Sequence, residues 1–126
     1  MTTEAAWLLV ALMIAHYLGD FTILASARLH ETKTTGGPLS IIGGHAGIHG
    51  LLMAPILIAF SGAAEPSLLA AAGIVLSHFV IDATRARLTL RFAGLADPTR
   101  KLFWSALGFD QLLHGLVLVW ATLSVL

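Results

Sequence analysis

The sequence predicts an all-α membrane protein, a four-transmembrane-helix bundle, from three observations. Hydrophobic residues make up 57% of the 126 residues and charged residues only 11%. With a mean hydropathy of +0.87, the chain is far too apolar for a soluble domain of this size. Its apolar residues gather into four runs, each near the roughly 20 residues that a helix needs to cross a bilayer. Backbone groups in lipid must be satisfied within their own segment, which makes these runs helices rather than strands. The length allows a single transmembrane domain, residues 1–126.

The first span is expected from Ala5 to Leu24. It does not read as a secretory signal, because Met1-Thr-Thr-Glu4 lacks a basic segment and the apolar stretch carries His16 and Asp20. The polar connection Ala25 to Pro38 ends in Thr34-Thr-Gly-Gly-Pro38, a helix stop and restart. The second span, Leu39 to Phe60, contains Pro55, which should bend it. Its glycines Gly43, Gly44, Gly47 and Gly50 are expected to allow close helix approach. A tight turn, Ser61 to Pro66, leads to the third span, Ser67 to Thr84. In the connection Arg85 to Lys101, the stretch Arg85-Ala-Arg-Leu-Thr-Leu-Arg-Phe92 is expected to lie at the interface as a short amphipathic piece before the Asp97-Pro98 turn. The fourth span runs from Phe103 to Leu126.

Orientation follows from the cations. Arg28 and Lys33 lie in the first connection, and Arg85, Arg87, Arg91, Arg100 and Lys101 in or beside the third, while the opposite side carries no Lys or Arg. The positive-inside rule then puts both termini outside. Trp7 and Trp120 fall near the outer boundary and Trp104 near the inner one, where interfacial aromatics belong.

Each span carries a pair of metal-ligand residues at helical spacing: His16 with Asp20, His45 with His49, His78 with Asp82, and Asp110 with His114. Residues four apart share a helix face, roughly 6 Å apart at Cβ. Ionisable groups are expensive in lipid, so eight of them in pairs point to a functional centre. At a rise of about 1.5 Å per residue, Asp20, His45, Asp82 and Asp110 lie roughly 5 to 12 Å from the cytoplasmic helix ends, and His16, His49, His78 and His114 roughly 10 to 18 Å. All eight fall in one half of the membrane, in two layers. A weak repeat, Ala15-His16-Tyr17 with Asp20 against Ser77-His78-Phe79 with Asp82, points to two helical hairpins related by a pseudo-two-fold axis.

Charge balance favours a metal. Buried carboxylates must take up protons or find cations, and the spans themselves hold no Lys or Arg. Two divalent cations against Asp20, Asp82, Asp110 and one hydroxide sum to zero with the five histidines neutral. Imidazole and carboxylate suit zinc, and also iron, manganese or cobalt. With no cysteine in the chain, disulfides, thiolate sites and cysteine nucleophiles are excluded. The competing readings are a metal-free polar network and haem, although an axial imidazole needs no aspartate one turn away. Arg85, three residues after Asp82, is placed at the mouth of the site, where it could grip a phosphate. Gln111, beside Asp110, is expected to orient a ligand. His30 and Glu31 are expected to be solvated.

The blocks His16-Tyr-Leu-Gly-Asp-Phe21, His78-Phe-Val-Ile-Asp82 and Phe109-Asp-Gln-Leu-Leu-His114 resemble the signatures of small bacterial and phage membrane proteins grouped as domain of unknown function 3307. That family is loosely similar to membrane-bound metal-dependent hydrolases. Leu24 stands where the family pattern usually has glutamine, and Arg85 where it often has lysine. The resemblance implies the bacterial inner (cytoplasmic) membrane and supports the ligand positions. The expected function is metal-dependent hydrolysis of a phosphoester or other ester in a lipid or lipid-linked substrate, with Asp20 or Asp82 bridging the metals or acting as base. The alternative is a divalent-metal or proton-coupled transporter or sensor using the same ligands, and a third reading is a subunit whose metal only staples the bundle. The expected partners are membrane lipids and a second copy of the chain, and no nucleic acid.

Overall fold

In the computed structural model, which describes residues 2–126, the chain forms four long helices, one short helix and one 3-10 turn. Thr2 opens α1 (Thr3–Phe21), its hydroxyl accepting from the Ala5 N–H at 3.1 Å. Ser26 caps α2 (Ala27–Thr35) in the same way, accepting from the Leu29 N–H at 3.2 Å. Side-chain oxygens at this position satisfy donors that the first turn leaves free. Gly36 and Gly62 adopt positive φ and close α2 and α3 (Leu39–Ser61), donating to the Thr32 and Ile58 carbonyls at 2.8 and 2.9 Å. Two further helices follow, α4 (Ala64–Arg91) and α5 (Lys101–Val125).

Four of these helices, α1, α3, α4 and α5, are long and apolar enough to cross a membrane. They pack in a ring in which α1 meets α3, α3 meets α4, α4 meets α5 and α5 meets α1. Trp7, Trp104 and Trp120 are exposed on its outer surface, together with Leu51, Leu69 and Leu76. Such an apolar exterior belongs in lipid. One end is filled by Leu8, Leu12, Met53, Leu57, Ile74 and Leu118.

Two connections differ from the sequence expectation. The first contains α2, which folds back over the bundle through a small apolar contact of Leu29 with Ile42 and Ala86. The stretch Arg85–Arg91 does not lie apart at the interface but continues α4 without a break. With 28 residues, α4 is about 42 Å long, more than the roughly 30 Å of a hydrocarbon core. The helix is thus longer than one crossing needs, and α2 packs against its C-terminal turns, Leu29 on Ala86 and Gly36 on Leu90. No glycine or proline interrupts the stretch from Ile74 to Phe92, so the helix has no reason to stop at Thr84. The 3-10 turn Ala93–Leu95 leads to the Asp97-Pro98 corner. There the Thr99 hydroxyl (2.6 Å) and N–H (3.0 Å) donate to Asp97 and hold its carboxyl below the usual carboxylate range.

Candidate metal centre

Helix approach comes first, because the side chains meet only if the backbones allow it. At Gly19, one residue before Asp20, an added Cβ would lie 2.6 Å from His49 Nε2. The missing side chain lets α1 close on α3. Of the four glycines in α3, Gly50 runs against Val75, Gly43 makes ordinary contact with Phe79, and Gly44 and Gly47 face open space. Gly19→Ala is therefore expected to lower stability by about 1–3 kcal/mol through overpacking. Gly44→Ala should raise it by up to about 1 kcal/mol through helix propensity. Thermal unfolding in detergent compares the two, and equal effects would refute the role given to Gly19.

The structure gathers all eight paired residues into one buried cluster between the four spans. The imidazoles of His16, His49, His78 and His114 form one tier: ring centroids are 3.9 Å apart for His49 and His78, 4.3 Å for His78 and His114, and 4.9 Å for His16 and His114. Below it, Asp20 is the hub. Its Oδ1 lies 2.9 Å from His45 Nε2, 3.1 Å from His49 Nε2 and 3.6 Å from His78 Nε2. The first two contacts are hydrogen bonds that fill the two lone pairs of that oxygen, and His78 Nε2, at 3.6 Å, is too far to be a third.

Two sets of ligand atoms stand close enough to share an ion: Asp20, His45, His49 and His78, and His16, His78 and His114. His78 belongs to both. His114 Nδ1 lies 2.9 Å from the Asp110 carbonyl. Donation there leaves the lone pair on Nε2, which is how a second partner orients a metal-ligating histidine. His16 Nε2, His78 Nε2 and His114 Nε2 are buried without a hydrogen-bond partner among the described residues. Leaving such atoms unpaired costs about 1–3 kcal/mol each, a deficit that a cation would relieve. All three belong to the histidine tier and His78 also to the Asp20 set, so the unpaired nitrogens fit a divalent metal beside His78, the residue the two sets share.

Asp82 and Asp110 stand outside both sets. Each has a protein cation instead. Lys33 Nζ reaches Asp82 Oδ2 at 2.7 Å, and Arg85 Nη1 reaches Asp110 Oδ2 at 3.2 Å. This departs from the expectation that the carboxylates lack counterions. It arises because α2 brings Lys33 over the cluster, and because Arg85, one turn beyond Asp82, points across to α5. Asp82 keeps a contact with His78 Nε2 at 3.4 Å. Gln111 Nε2 donates to Asp20 Oδ2 (3.3 Å) and Asp110 Oδ2 (3.2 Å), tying the hub to the outlying carboxylate.

A cavity of about 270 Å³ opens at this end of the bundle, with Asp20, His30, Lys33, Arg85, Asp110 and Gln111 among its walls. His30 is exposed, as its polar surroundings suggest, but it also borders this cavity. In the sequence Lys33 shows only as one of two cations, with Arg28, that orient the first connection, and nothing in its spacing places it at the cluster.

The chain belongs to the family described as Protein of unknown function (DUF3307), whose model matches residues 8–126. No curated protein and no solved structure matches it.

Proposed function

We propose that this member of the family is a metal-dependent hydrolase of phosphoester bonds in a lipid or lipid-linked substrate, working with a divalent cation held by Asp20, His45, His49 and His78. The observation that carries this reading is that Asp20, on which the imidazoles converge, also lines a cavity bordered by the donor groups of Lys33 and Arg85. A cation held there supplies Lewis acidity, acidifying water and polarising an ester oxygen at neutral pH. Zinc suits the donor set, with iron, manganese and cobalt as alternatives.

Charge balance favours one ion over two. The Lys33–Asp82 and Arg85–Asp110 pairs are each neutral. A divalent cation, Asp20 and one hydroxide then sum to zero, whereas a second ion among His16, His78 and His114 would add charge with no carboxylate in that set. Beyond its single carboxylate contact, the Arg85 guanidinium has further N–H donors, as does the Lys33 ammonium, and these can hold phosphate oxygens. In the reaction the water oxygen bonds to phosphorus as Asp20 takes one of its protons, the ester P–O bond breaks, and Asp20 returns that proton to the departing alkoxide, which leaves as the alcohol. We read the basic end as cytoplasmic, with both termini on the far side of a bacterial inner membrane.

A transporter would use the same ligands reversibly, but it needs access from both ends. The half of the bundle beyond the histidines is packed with apolar side chains, which supports a pocket open at one end. Elemental analysis of protein purified without chelator or His-tag should find one equivalent of metal. The loaded protein should release phosphate from dioleoylphosphatidate in vesicles and from p-nitrophenyl phosphate. Protein free of metal, or metal-loaded protein that releases no phosphate yet moves zinc across vesicles, would refute the hydrolase reading.

A further inference from the structure

Three arginines stand on the C-terminal turns of α4, and only one of them is engaged. Arg85 pairs with Asp110, and the other Lys or Arg side chains held in ion pairs are Lys33 and Arg100. Arg87 and Arg91 have no carboxylate partner among the described residues. With Thr84 and Leu88 they fall at positions i, i+3, i+4 and i+7, which share one helix face. At about 100° per residue that face lies opposite Asp82, Ala86 and Thr89, the residues that this stretch buries. All four are accordingly exposed.

That face is hollow. Leu39, Ala83, Thr84, Arg87, Leu88 and Arg91 border a depression of about 340 Å³ where the start of α3 meets α4. It shares no lining residue with the cavity at the metal centre, whose Lys33 and Arg85 are balanced by Asp20 and Asp110. Here the wall holds two cations and no acid. Nor does α3 supply one, for its first turn carries no acidic residue. Two positive charges without a counterion favour a ligand of net negative charge.

The level of the hollow selects the anion. Leu39 is the first residue of α3, a helix apolar enough to cross a membrane. The hollow therefore sits where that span begins, beside the polar connection. Arg87 and Arg91 stand about 6 Å apart along the axis, and the headgroup layer beside a hydrocarbon core is roughly 5 to 8 Å deep. The anions fixed at that boundary are lipid phosphates, and they carry the hydrocarbon that the Leu39 and Leu88 side chains can cover. Guanidinium suits them, because its planar fork of N–H donors matches phosphate oxygens. Scattered cations would serve equally well to orient the chain. Two on one face, beside an apolar hollow, make a place for one headgroup.

We infer that Arg87 and Arg91 form a binding site for one anionic phospholipid, whose phosphate lies between the two guanidinium groups and whose chains lie against Leu39 and Leu88. The site is separate from the metal centre and independent of its chemistry.

Native mass spectrometry of the full chain in a neutral detergent, titrated with dioleoylphosphatidylglycerol or dioleoylphosphatidylcholine, tests it. An unpaired arginine near the membrane surface is worth roughly fivefold in affinity for an anionic lipid, so one phosphatidylglycerol should bind at least about tenfold more tightly than phosphatidylcholine. Arg87→Gln combined with Arg91→Gln should reduce that preference to about twofold or less. Removing the same charge elsewhere, by Arg28→Gln with Lys101→Gln, should leave it intact. Thr84→Trp keeps both arginines but fills the hollow, and should lower phosphatidylglycerol binding by about tenfold as well. Thr84 is exposed, so the unfolding midpoint of that variant should match the unaltered chain. Neither chelator stripping nor glycerol 3-phosphate at the lipid concentration should displace the lipid.

Equal affinity for the two lipids, or a preference that survives loss of both arginines, would overturn the inference. So would undiminished binding by Thr84→Trp, or an equal loss in the Arg28 and Lys101 variant, since either means a diffuse positive field rather than a site. Release on stripping would also overturn it by moving the lipid to the metal centre, and displacement by glycerol 3-phosphate by making the ligand a free phosphate.

Discussion

Asp20→Asn is expected to lower metal affinity by about 100-fold or more and to abolish phosphate release. Even partners that only orient a ligand are worth about 10- to 100-fold in affinity, and Asp20 is the single carboxylate in either set of converging ligand atoms. Asparagine keeps the volume and one acceptor oxygen but loses the charge that offsets the cation where water is excluded. The pattern over the histidines then distinguishes where the ion sits. His45→Gln and His49→Gln should weaken binding nearly as much as Asp20→Asn. His114→Gln, outside the Asp20 set and in no hydrogen bond to its ligands, should weaken it by less than the roughly 10- to 100-fold of a partner that orients a ligand. His78→Gln, common to both sets, should be as severe as Asp20→Asn. Isothermal titration with zinc after chelator stripping gives the affinities. If Asp20→Asn bound zinc as tightly as the unaltered chain while His16→Gln and His114→Gln did not, the ion would belong to the three-histidine tier.

The four spans and the clustering of their ligand pairs were legible in the sequence because both rest on periodicity. Spacing of four puts His16 with Asp20 and His78 with Asp82 on common faces, and span length fixes their depth. The partners of those carboxylates were not legible. Arg85 shares a face with Asp82 by spacing, yet it meets Asp110 on the neighbouring helix, a choice made by how α4 and α5 pack. α2 escaped notice because only Leu29 and Thr32 of its nine residues are buried, too few to show an apolar stripe. Its place is set by tertiary contact with Ile42 and Ala86. The glycines make the same point: Gly44 and Gly47 sit in a suggestive run but face nothing, whereas Gly19, a single glycine before Asp20, is the one that admits His49.

The Lys33–Asp82 pair carries the second large effect, and its two halves should respond unequally. Asp82 is fully buried, while the Lys33 side chain retains 21% of its exposure. Lys33→Met strands a carboxylate with no cation beside it, and breaking a buried pair from one side typically costs about 3–5 kcal/mol. Partial exposure of the lysine reduces the Coulomb part of that figure through solvent screening, which puts the expected loss nearer the low end, about 3 kcal/mol. Asp82→Asn leaves an ammonium that can swing toward water on its long stem, so the loss should be about 1 kcal/mol, the scale of an exposed pair. Combining Lys33→Met with Asp82→Leu removes both charges and should recover most of the difference, since an apolar pair of similar volume replaces a buried ion pair at little cost. Unfolding of the metal-free protein in mixed micelles measures all three, and the coupling energy follows from the double-mutant cycle. Equal losses for the two single changes, with no recovery in the double, would mean that α2 is held by Leu29 alone and that Lys33 does not latch it over the cavity.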